Sequence, residues 1–122
     1  MDELGQGRAV LVVDDEALVR MVGAEMLADL GFEVLEADSG PAALRLLQSR
    51  PDIALLFTDV RMPGMDGLEL SELAMQQNPA LKVIFVSGYS APHRNLPAPL
   101  LDKPYGPQDL ERVVESQLQA GA

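Results

Sequence analysis

The chain has 122 residues, of which 48% are apolar, so its length and composition fit one domain with a buried core. It carries 19 acidic and 9 basic side chains, and this formal net charge of −10 argues against a nucleic-acid partner, because DNA and RNA attract basic surfaces. The absence of cysteine excludes disulfides and thiolate metal sites, and no apolar run is long enough for a signal peptide or a membrane span, so we expect a cytoplasmic protein without a membrane partner.

The first half of the chain alternates short apolar runs with segments of helical period. Residues Ala9–Val13 predict a strand buried on both faces, and "FEVLEA" predicts a half-buried one. Between them lies a helix that Gly31 would end, as a glycine just after the last helical residue does. The next helix is predicted to begin at Pro41, because proline is favoured at the first helical position. The apolar stripe expected on the first helix consists of Val19, Val22, Met26, Leu27 and Leu30.

The second half repeats the alternation. Residues Ile53–Thr58 and "KVIFVS" predict buried strands, and Asp66 with Glu69 three residues later predicts a capped helix start between them. After a proline-rich stretch, "PLLD" predicts a short fifth strand, and "GPQDLERVVESQLQ" predicts a last helix. The apolar face expected on that helix consists of Leu110, Val113, Val114 and Leu118.

This order of elements predicts an α/β fold. Strands that alternate with helices indicate a doubly wound, five-stranded parallel sheet, and we expect the flavodoxin-like strand order 2-1-3-4-5. The ligand site of such a fold lies at the carboxyl ends of the strands, where the winding reverses. We expect one domain over residues 9–119, with an N-terminal tail over 1–8 and a C-terminal tail over 120–122.

Five polar residues follow or end these strands: Asp14, Asp15, Asp59, Ser87 and Lys103. Two carboxylates about 4 Å apart repel by roughly 4 kcal/mol at an effective dielectric near 20, so three in one crevice need a cation. Mg²⁺ accepts such oxygen ligands, and a nearby lysine offsets more of the charge. With the metal bound, the site could accept a phosphoryl group, and a carboxylate can itself be the nucleophile that forms an aspartyl phosphate.

Each residue also has a purely structural interpretation. Asp15 and Asp66 could cap helices, Asp59 and Ser87 could form turns, and Lys103 could be a solvated charge. Capping does not explain why Asp59, with no helix directly after it, is acidic as well. The combination therefore favours a functional site, while Asp66 is assigned to capping.

Four blocks of this sequence resemble, in order, the motifs of the receiver domain of two-component response regulators. They are "LVVDDE" (Leu11–Glu16), "LLFTDVRMPGMDG" (Leu55–Gly67), "VIFVSGY" (Val83–Tyr89) and "DKPY" (Asp102–Tyr105). The resemblance covers nearly the whole chain. It implies a phosphoacceptor module that catalyses only its own phosphorylation and dephosphorylation and is otherwise not an enzyme.

The resemblance also implies a role for each site residue. Asp59 would take a phosphoryl group from a histidine kinase or a histidine phosphotransfer protein. Asp15 would ligate Mg²⁺ directly and Asp14 mainly through water, with Asp59 and the backbone carbonyl of Arg61 completing the protein ligands and Mn²⁺ able to substitute.

At the phosphoryl group itself, the resemblance implies that Lys103 pairs with the phosphoryl oxygens and that its bond to Pro104 is cis. Ser87 would be the switch hydroxyl that hydrogen-bonds the phosphoryl group and moves with it. This movement would change a surface that an unknown downstream protein reads.

The sequence departs from the family pattern in two features. Leu100 stands where receivers usually carry an aromatic residue, for which Tyr89 is a candidate substitute. Pro92, Pro97 and Pro99 leave room for about one helical turn where receivers have their fourth helix, so that helix is expected to be reduced or missing. Such a pattern resembles a subclass of receivers that are often small stand-alone proteins or parts of hybrid kinases.

Two other functions remain as alternatives. A receiver can be a constitutive binding module that works without phosphorylation, and a magnesium-dependent phosphatase would use a similar acidic site. The residues "VRMPG" after Asp59 lack the second acid that aspartate-nucleophile phosphatases use. His93 is assigned to the surface, which is the usual place of a lone histidine in a loop. A hydrolase triad of Ser87, His93 and an aspartate is rejected, because "FVSGY" lacks the first glycine of a nucleophile elbow.

Overall fold

The structure, a computed structural model, describes residues 4–88 and 96–119. The strands are β1 (Ala9–Val13), β2 (Glu33–Ala37), β3 (Ile53–Asp59), β4 (Lys82–Ser87) and β5 (Leu100–Asp102). The helices are α1 (Ala17–Asp29), α2 (Gly40–Ser49), α3 (Gly67–Gln77) and α4 (Pro107–Gln119). All strand pairs are parallel and the order is β2-β1-β3-β4-β5, which confirms the predicted doubly wound sheet.

The sheet separates two apolar layers, because successive side chains of a strand point to opposite faces. On one face, Leu11, Leu56 and Phe85 belong to a buried cluster that includes residues of α2 and α3. On the other face, Val12 and Phe57 belong to a cluster with residues of α1 and α4. Both faces of the central strands are therefore covered, as the continuous apolar runs predicted.

The helix ends follow the sequence signals closely. Gly31 lies just after α1 with φ 96°, a left-handed conformation that glycine adopts readily because it has no Cβ. The predicted helix end is therefore confirmed. The Asp66 carboxylate accepts a hydrogen bond of 2.8 Å from the Glu69 amide at the start of α3, as predicted. The predicted start at Pro41 is wrong by one residue, because Ser39 is the N-cap of α2 and Gly40 is its first residue.

The apolar stripe predicted on α1 is only partly correct. Leu27 is fully buried, but Val22 is 49% exposed, and Gly23 and Ala24 take its place against the sheet. The reason is close packing, since a Cβ on Gly23 would lie 2.8 Å from the hydroxyl of Tyr105. The helix approaches its neighbours through small residues, which leaves larger apolar ones at the surface.

Two segments at the ends of the sheet complete the fold. β5 has three residues and pairs with β4 only from Phe85 onward, while Gln117 of α4 donates a side-chain hydrogen bond of 2.8 Å to the Val83 carbonyl. Near the N-terminus, the amides of Gly5 and Gly7 donate hydrogen bonds of 2.7 Å to the carbonyls of Leu30 and Gly31, just after α1. The domain bounds of 9–119 stay a prediction.

Among the described residues, Gly88 and residues 96–99 form no helix between β4 and β5. The predicted reduction of the fourth helix depends on residues 89–95, which lie outside the described ranges, as do the predictions for Tyr89 and His93. No helix within residues 4–88 and 96–119 is both long and apolar enough to cross a membrane.

Candidate functional site

Three carboxylates meet at the carboxyl ends of two neighbouring strands. Asp14 and Asp15 directly follow β1, and Asp59 is the last residue of β3. One oxygen of each lies within 4.8 Å of an oxygen of the others. Asp14 and Asp59 are buried and Asp15 is exposed. The predicted acidic cluster is therefore present, with one carboxylate open to solvent.

Lys103 brings a cation to this cluster from the far end of the sheet. Its Nζ lies 3.0 Å from Asp14 Oδ2 and 3.4 Å from Asp59 Oδ2. Its amide donates a hydrogen bond of 2.7 Å to the Ser87 carbonyl, which ties the residue to the end of β4. The Lys103–Pro104 peptide bond is cis, as the resemblance implied.

The protein already occupies both carboxylate oxygens of Asp14. Its Oδ1 accepts a hydrogen bond of 3.0 Å from the Glu16 amide, and its Oδ2 faces Lys103. Within the described residues, the side chain of Asp15 has no hydrogen bond or ion pair of its own. Asp15 is thus the carboxylate of the cluster most open to a cation, and that Asp14 acts through water stays a prediction.

The charges in the cluster perturb one another. Burial, assisted by the charge of Asp14, raises the pKa of Asp59 above its ordinary value of 3.8, although Lys103 opposes the shift. Burial lowers the pKa of Lys103, but its hydrogen bond to Asp14 and the charges of Asp59 and Asp14 outweigh that and raise it. Lys103 is therefore cationic at neutral pH and stabilises the ionised form of Asp59.

The loop after β3 fixes the main chain at Asp59. A Cβ on Gly67 would collide with the backbone carbonyl of Asp59, and the Gly67 amide donates a hydrogen bond of 2.8 Å to the Val60 carbonyl. The Arg61 amide lies 3.4 Å from Asp59 Oδ1, so the Arg61 main chain runs beside the carboxylate. That its carbonyl is a metal ligand stays a prediction.

The predicted switch residue lies at the same edge of the sheet. Ser87 ends β4 and is buried, one residue beyond Val86, which is the β4 partner of Asp59 in the register. Leu100 begins β5 opposite Phe85, so the departure from the family pattern is a strand residue. The switch role of Ser87 stays a prediction.

Two residues near the site were missed in the sequence. Tyr105 packs edge-on against Phe57 with ring centroids 6.0 Å apart, and burial together with the charge of Asp14 raises its pKa to about 12. Arg20 donates a hydrogen bond of 2.9 Å to the Asp14 carbonyl. A cation in the first part of a helix is disfavoured by the helix dipole, and that was the available signal for Arg20.

An apolar groove of about 460 Å³ opens beside the cluster, between α1 and the end of β5. Leu18 and Val22 on its α1 side are 77% and 49% exposed. The groove is lined by Leu18, Val19, Val22, Gly88, Lys103, Pro104 and Tyr105. Lys103 lines this groove and also contacts Asp14 and Asp59, so the groove adjoins the acidic cluster.

The donor set fits Mg²⁺. All three groups in the cluster are carboxylates, with no histidine or cysteine, and hard divalent cations prefer oxygen ligands. An acidic cluster on a doubly wound sheet and facing a lysine brings together what phosphoryl transfer to a carboxylate requires, namely a nucleophile, oxygen ligands for a cation and a positive charge.

Comparisons with known proteins identify the same family that the sequence motifs resemble. The family model for the response regulator receiver domain matches residues 10–115. The chain is 34% identical to the response regulator receiver protein CpdR of Brucella abortus, over 93% of this chain and 98% of that protein. It is 38% identical to the sensor kinase CckA of the same organism, over 96% of this chain but 13% of the kinase.

Solved structures show the same likeness. The crystal structure of the receiver domain from the hybrid histidine kinase CckA superposes with a TM-score of 0.79 at 38% identity, over 91% of this chain and 99% of that one. The chain belongs to the response regulator receiver domain family, and its class is a signalling module of two-component systems. Its relatives include both a small protein of similar length and a short part of a large kinase.

Proposed function

We propose that this receiver takes a phosphoryl group on Asp59 from the phosphohistidine of a histidine kinase or a histidine phosphotransfer protein. The observation that carries the proposal is the position of Asp59. Its buried carboxylate lies within 4.8 Å of two further carboxylates and 3.4 Å from the Lys103 ammonium. A nucleophile, oxygen ligands for a cation and a fixed positive charge thus lie together.

The transfer breaks one bond and forms one. A carboxylate oxygen of Asp59 attacks the phosphorus, the P–N bond of the phosphohistidine breaks, and the imidazole leaves with its electron pair and takes up a proton. The product is an acyl phosphate on Asp59. Mg²⁺, held by Asp15, Asp59, the Arg61 carbonyl and, through water, Asp14, would supply charge neutralisation for the phosphoryl oxygens, and Mn²⁺ would substitute.

Lys103 has two roles in this scheme, one before the transfer and one after it. Before transfer it faces Asp14 and Asp59, where it favours the ionised, nucleophilic form of Asp59. After transfer, one carboxylate charge becomes a phosphoryl group of higher charge, so the ammonium would pair with a phosphoryl oxygen. The same cation thus serves the nucleophile and the product.

Ser87 would convert phosphorylation into a change of surface. Its hydroxyl lies at the end of β4, next to the strand position paired with Asp59, and would donate a hydrogen bond to a phosphoryl oxygen. This would draw the end of β4 toward Asp59 and alter the chain that follows, which an unidentified protein would read. We place this activity in a domain of residues 9–119, in the cytoplasm.

The phosphoryl donor would contact the apolar groove beside the site. Asp59 is only 7% exposed, so a phosphoryl donor must approach the protein surface closely to reach it. Leu18 and Val22 line the groove beside the site and would meet such a donor. Burial of these side chains against a partner gains free energy without a basic surface. The proposed partner surface is therefore apolar at its centre.

Incubation with Mg²⁺ and acetyl phosphate, followed by intact mass spectrometry, tests the proposal. We expect the mass of one phosphoryl group to be added, and we expect neither Asp59→Asn nor a sample treated with a chelator to gain it. Asp38→Asn is the matched control, because it removes the same charge at an exposed position. Absence of the mass gain, or a gain that persists in Asp59→Asn, would contradict the proposal.

The alternative functions have weaker support. The contacts of Lys103 with Asp14 and Asp59 bring three charges largely out of water, which costs free energy. A module that works without phosphorylation does not require these contacts. A partner that binds equally well with and without the phosphoryl mimic beryllofluoride would favour that alternative.

A further inference from the structure

Arg20 joins three elements at the edge of the acidic cluster. It lies near the start of α1, and its Nη1 donates a hydrogen bond of 2.9 Å to the main-chain carbonyl of Asp14, just after β1. Its Nε lies 3.0 Å from Glu36 Oε1 on β2. The Arg20 side chain is 18% exposed, against 40% for Glu36. The guanidinium is thus fixed by two acceptors in a largely buried position.

Stabilisation of α1 does not explain the presence of an arginine at position 20. The positive end of the helix dipole lies at the start of a helix and disfavours cations there. The first turn of α1 has no acidic residue that could pair with Arg20, and Glu16 makes no side-chain capping bond. The two acceptors that Arg20 does have lie outside the helix, one just after β1 and one on β2.

The orientation of the Asp14 carbonyl affects the position of Asp15. It belongs to the same planar peptide unit as the amide of Asp15, so the orientation of one fixes the other. Asp14 is also held by its amide, which donates a hydrogen bond of 3.2 Å to the Ala37 carbonyl, and by Oδ1, which accepts from Glu16. With Arg20 on the carbonyl, hydrogen bonds hold the amide, the side chain and the carbonyl of Asp14, and so restrain the peptide that leads into Asp15.

We propose that Arg20 is a positioning residue that orients Asp15 for direct metal ligation by fixing the Asp14–Asp15 peptide, and that Glu36 in turn orients the guanidinium. This proposal rests on the proposed function, because it assigns a residue to the same metal site. Arg20 touches no reacting atom. It acts through the backbone, in the way that outer groups orient the ligands of a metal centre.

A simpler role for Arg20, charge compensation, predicts the opposite result. A cation beside three carboxylates repels Mg²⁺, so its removal would tighten metal binding if charge were its only contribution. If Arg20 fixes Asp15, its removal releases the ligand and weakens binding. The sign of the change in Mg²⁺ affinity therefore separates the two roles.

Isothermal titration of the purified chain with Mg²⁺ measures that sign. We expect Arg20→Gln to weaken binding by about 10- to 100-fold, the usual cost of losing a group that orients a metal ligand. Arg20→Lys should restore part of the affinity, because an ammonium reaches one acceptor but lacks the fork that holds two. Glu36→Gln should weaken binding less than Arg20→Gln.

Arg45→Gln is the matched control. Arg45 is exposed on α2 and makes no hydrogen bond or ion pair within the described residues, so the variant carries the same change in net charge without the contact. We expect its Mg²⁺ affinity to equal that of the wild type. Tighter binding by Arg20→Gln, or an affinity equal to that of Arg45→Gln, would overturn the proposal.

Hydrogen exchange without metal provides a second measurement that does not depend on the proposed function. The Glu16 amide bonds to the Asp14 side chain, so a loosened Asp14–Asp15 peptide should exchange faster there in Arg20→Gln than in Arg45→Gln. Unchanged exchange at Glu16 would overturn the proposal. If the wild type neither binds Mg²⁺ nor gains a phosphoryl group, the proposed function fails, and the exchange result still decides whether Arg20 holds this peptide. Arg20→Lys provides the same comparison if Arg20→Gln fails to fold.

Discussion

Replacement of Asp59 by asparagine should stabilise the fold in the absence of metal. Burial and the charge of Asp14 raise the pKa of Asp59 in the folded state above the ordinary value of 3.8. The folded protein therefore holds this proton more tightly than the unfolded chain does, and stability is lost as pH rises from 3.8 through the folded-state pKa. At neutral pH the ionised carboxylate is a net cost, which the neutral amide of asparagine removes.

The size of the effect follows from opposing charges. At the 4.8 Å limit of the cluster, each carboxylate pair repels by about 3.5 kcal/mol at an effective dielectric near 20, and solvent weakens the pair that includes the exposed Asp15. Lys103 at 3.4 Å returns about 5 kcal/mol on the same scale. These charges nearly cancel, so burial decides the sign, and we expect a net gain of about 1 kcal/mol.

Thermal unfolding followed by circular dichroism in a chelator tests this expectation. At pH 7 the melting temperature of Asp59→Asn should exceed that of the wild type by about 4 °C. The difference should shrink as pH falls through the folded-state pKa toward 3.8, because protonation of Asp59 removes its buried charge from the wild type. Mg²⁺ should stabilise the wild type more than the variant, because a ligand that binds only the folded state raises its stability.

Asp38→Asn again serves as the control for a change of net charge at an exposed position. A lower melting temperature for Asp59→Asn at pH 7, or a difference that is the same at pH 4, would refute the reasoning. So would an equal gain in Asp38→Asn, because the effect would then reflect overall charge and not the environment of Asp59.

Three further predictions concern packing around the site. Gly67→Ala should destabilise the fold by about 3 kcal/mol or more in urea unfolding, because its Cβ meets the rigid backbone of Asp59, and a loss below about 1 kcal/mol would contradict this. Gly23→Ala should destabilise the wild type but stabilise a Tyr105→Phe background by up to about 1 kcal/mol, because alanine favours helix once the hydroxyl at 2.8 Å is gone; the same sign in both backgrounds would count against the contact. In ultraviolet titration, Tyr105 should ionise with a pKa of about 12, and this transition should be absent from Tyr105→Phe.

The sequence predicted the parts of the site that depend on topology. Asp14, Asp59 and Lys103 are far apart in the chain, yet each follows or ends a strand, and parallel strands bring their carboxyl ends to one edge. The strand order followed from the alternation of elements and the handedness of crossovers. These features depend on local patterns that a single sequence contains.

The parts that could not be predicted depend on tertiary contacts. Because Val22 is apolar, the predicted stripe on α1 placed it toward the sheet. In the structure Gly23 packs beside Tyr105, and a different face of α1 lies against the sheet. The contact of Arg20 with the Asp14 carbonyl depends on where a guanidinium lies in space. Helical period and charge count give no information on such contacts, since they describe one segment at a time.

The hydrogen bond from Gln117 to Val83 has a consequence for solubility and for movement. Because β5 is short, the first part of β4 lies beyond its strand partner on that side, and an uncovered strand edge is a template for pairing with another chain. The side-chain amide of Gln117 covers one carbonyl of that edge. Displacement of α4 along the sheet would expose this carbonyl, so we expect the last helix to limit edge-to-edge pairing in addition to covering the core.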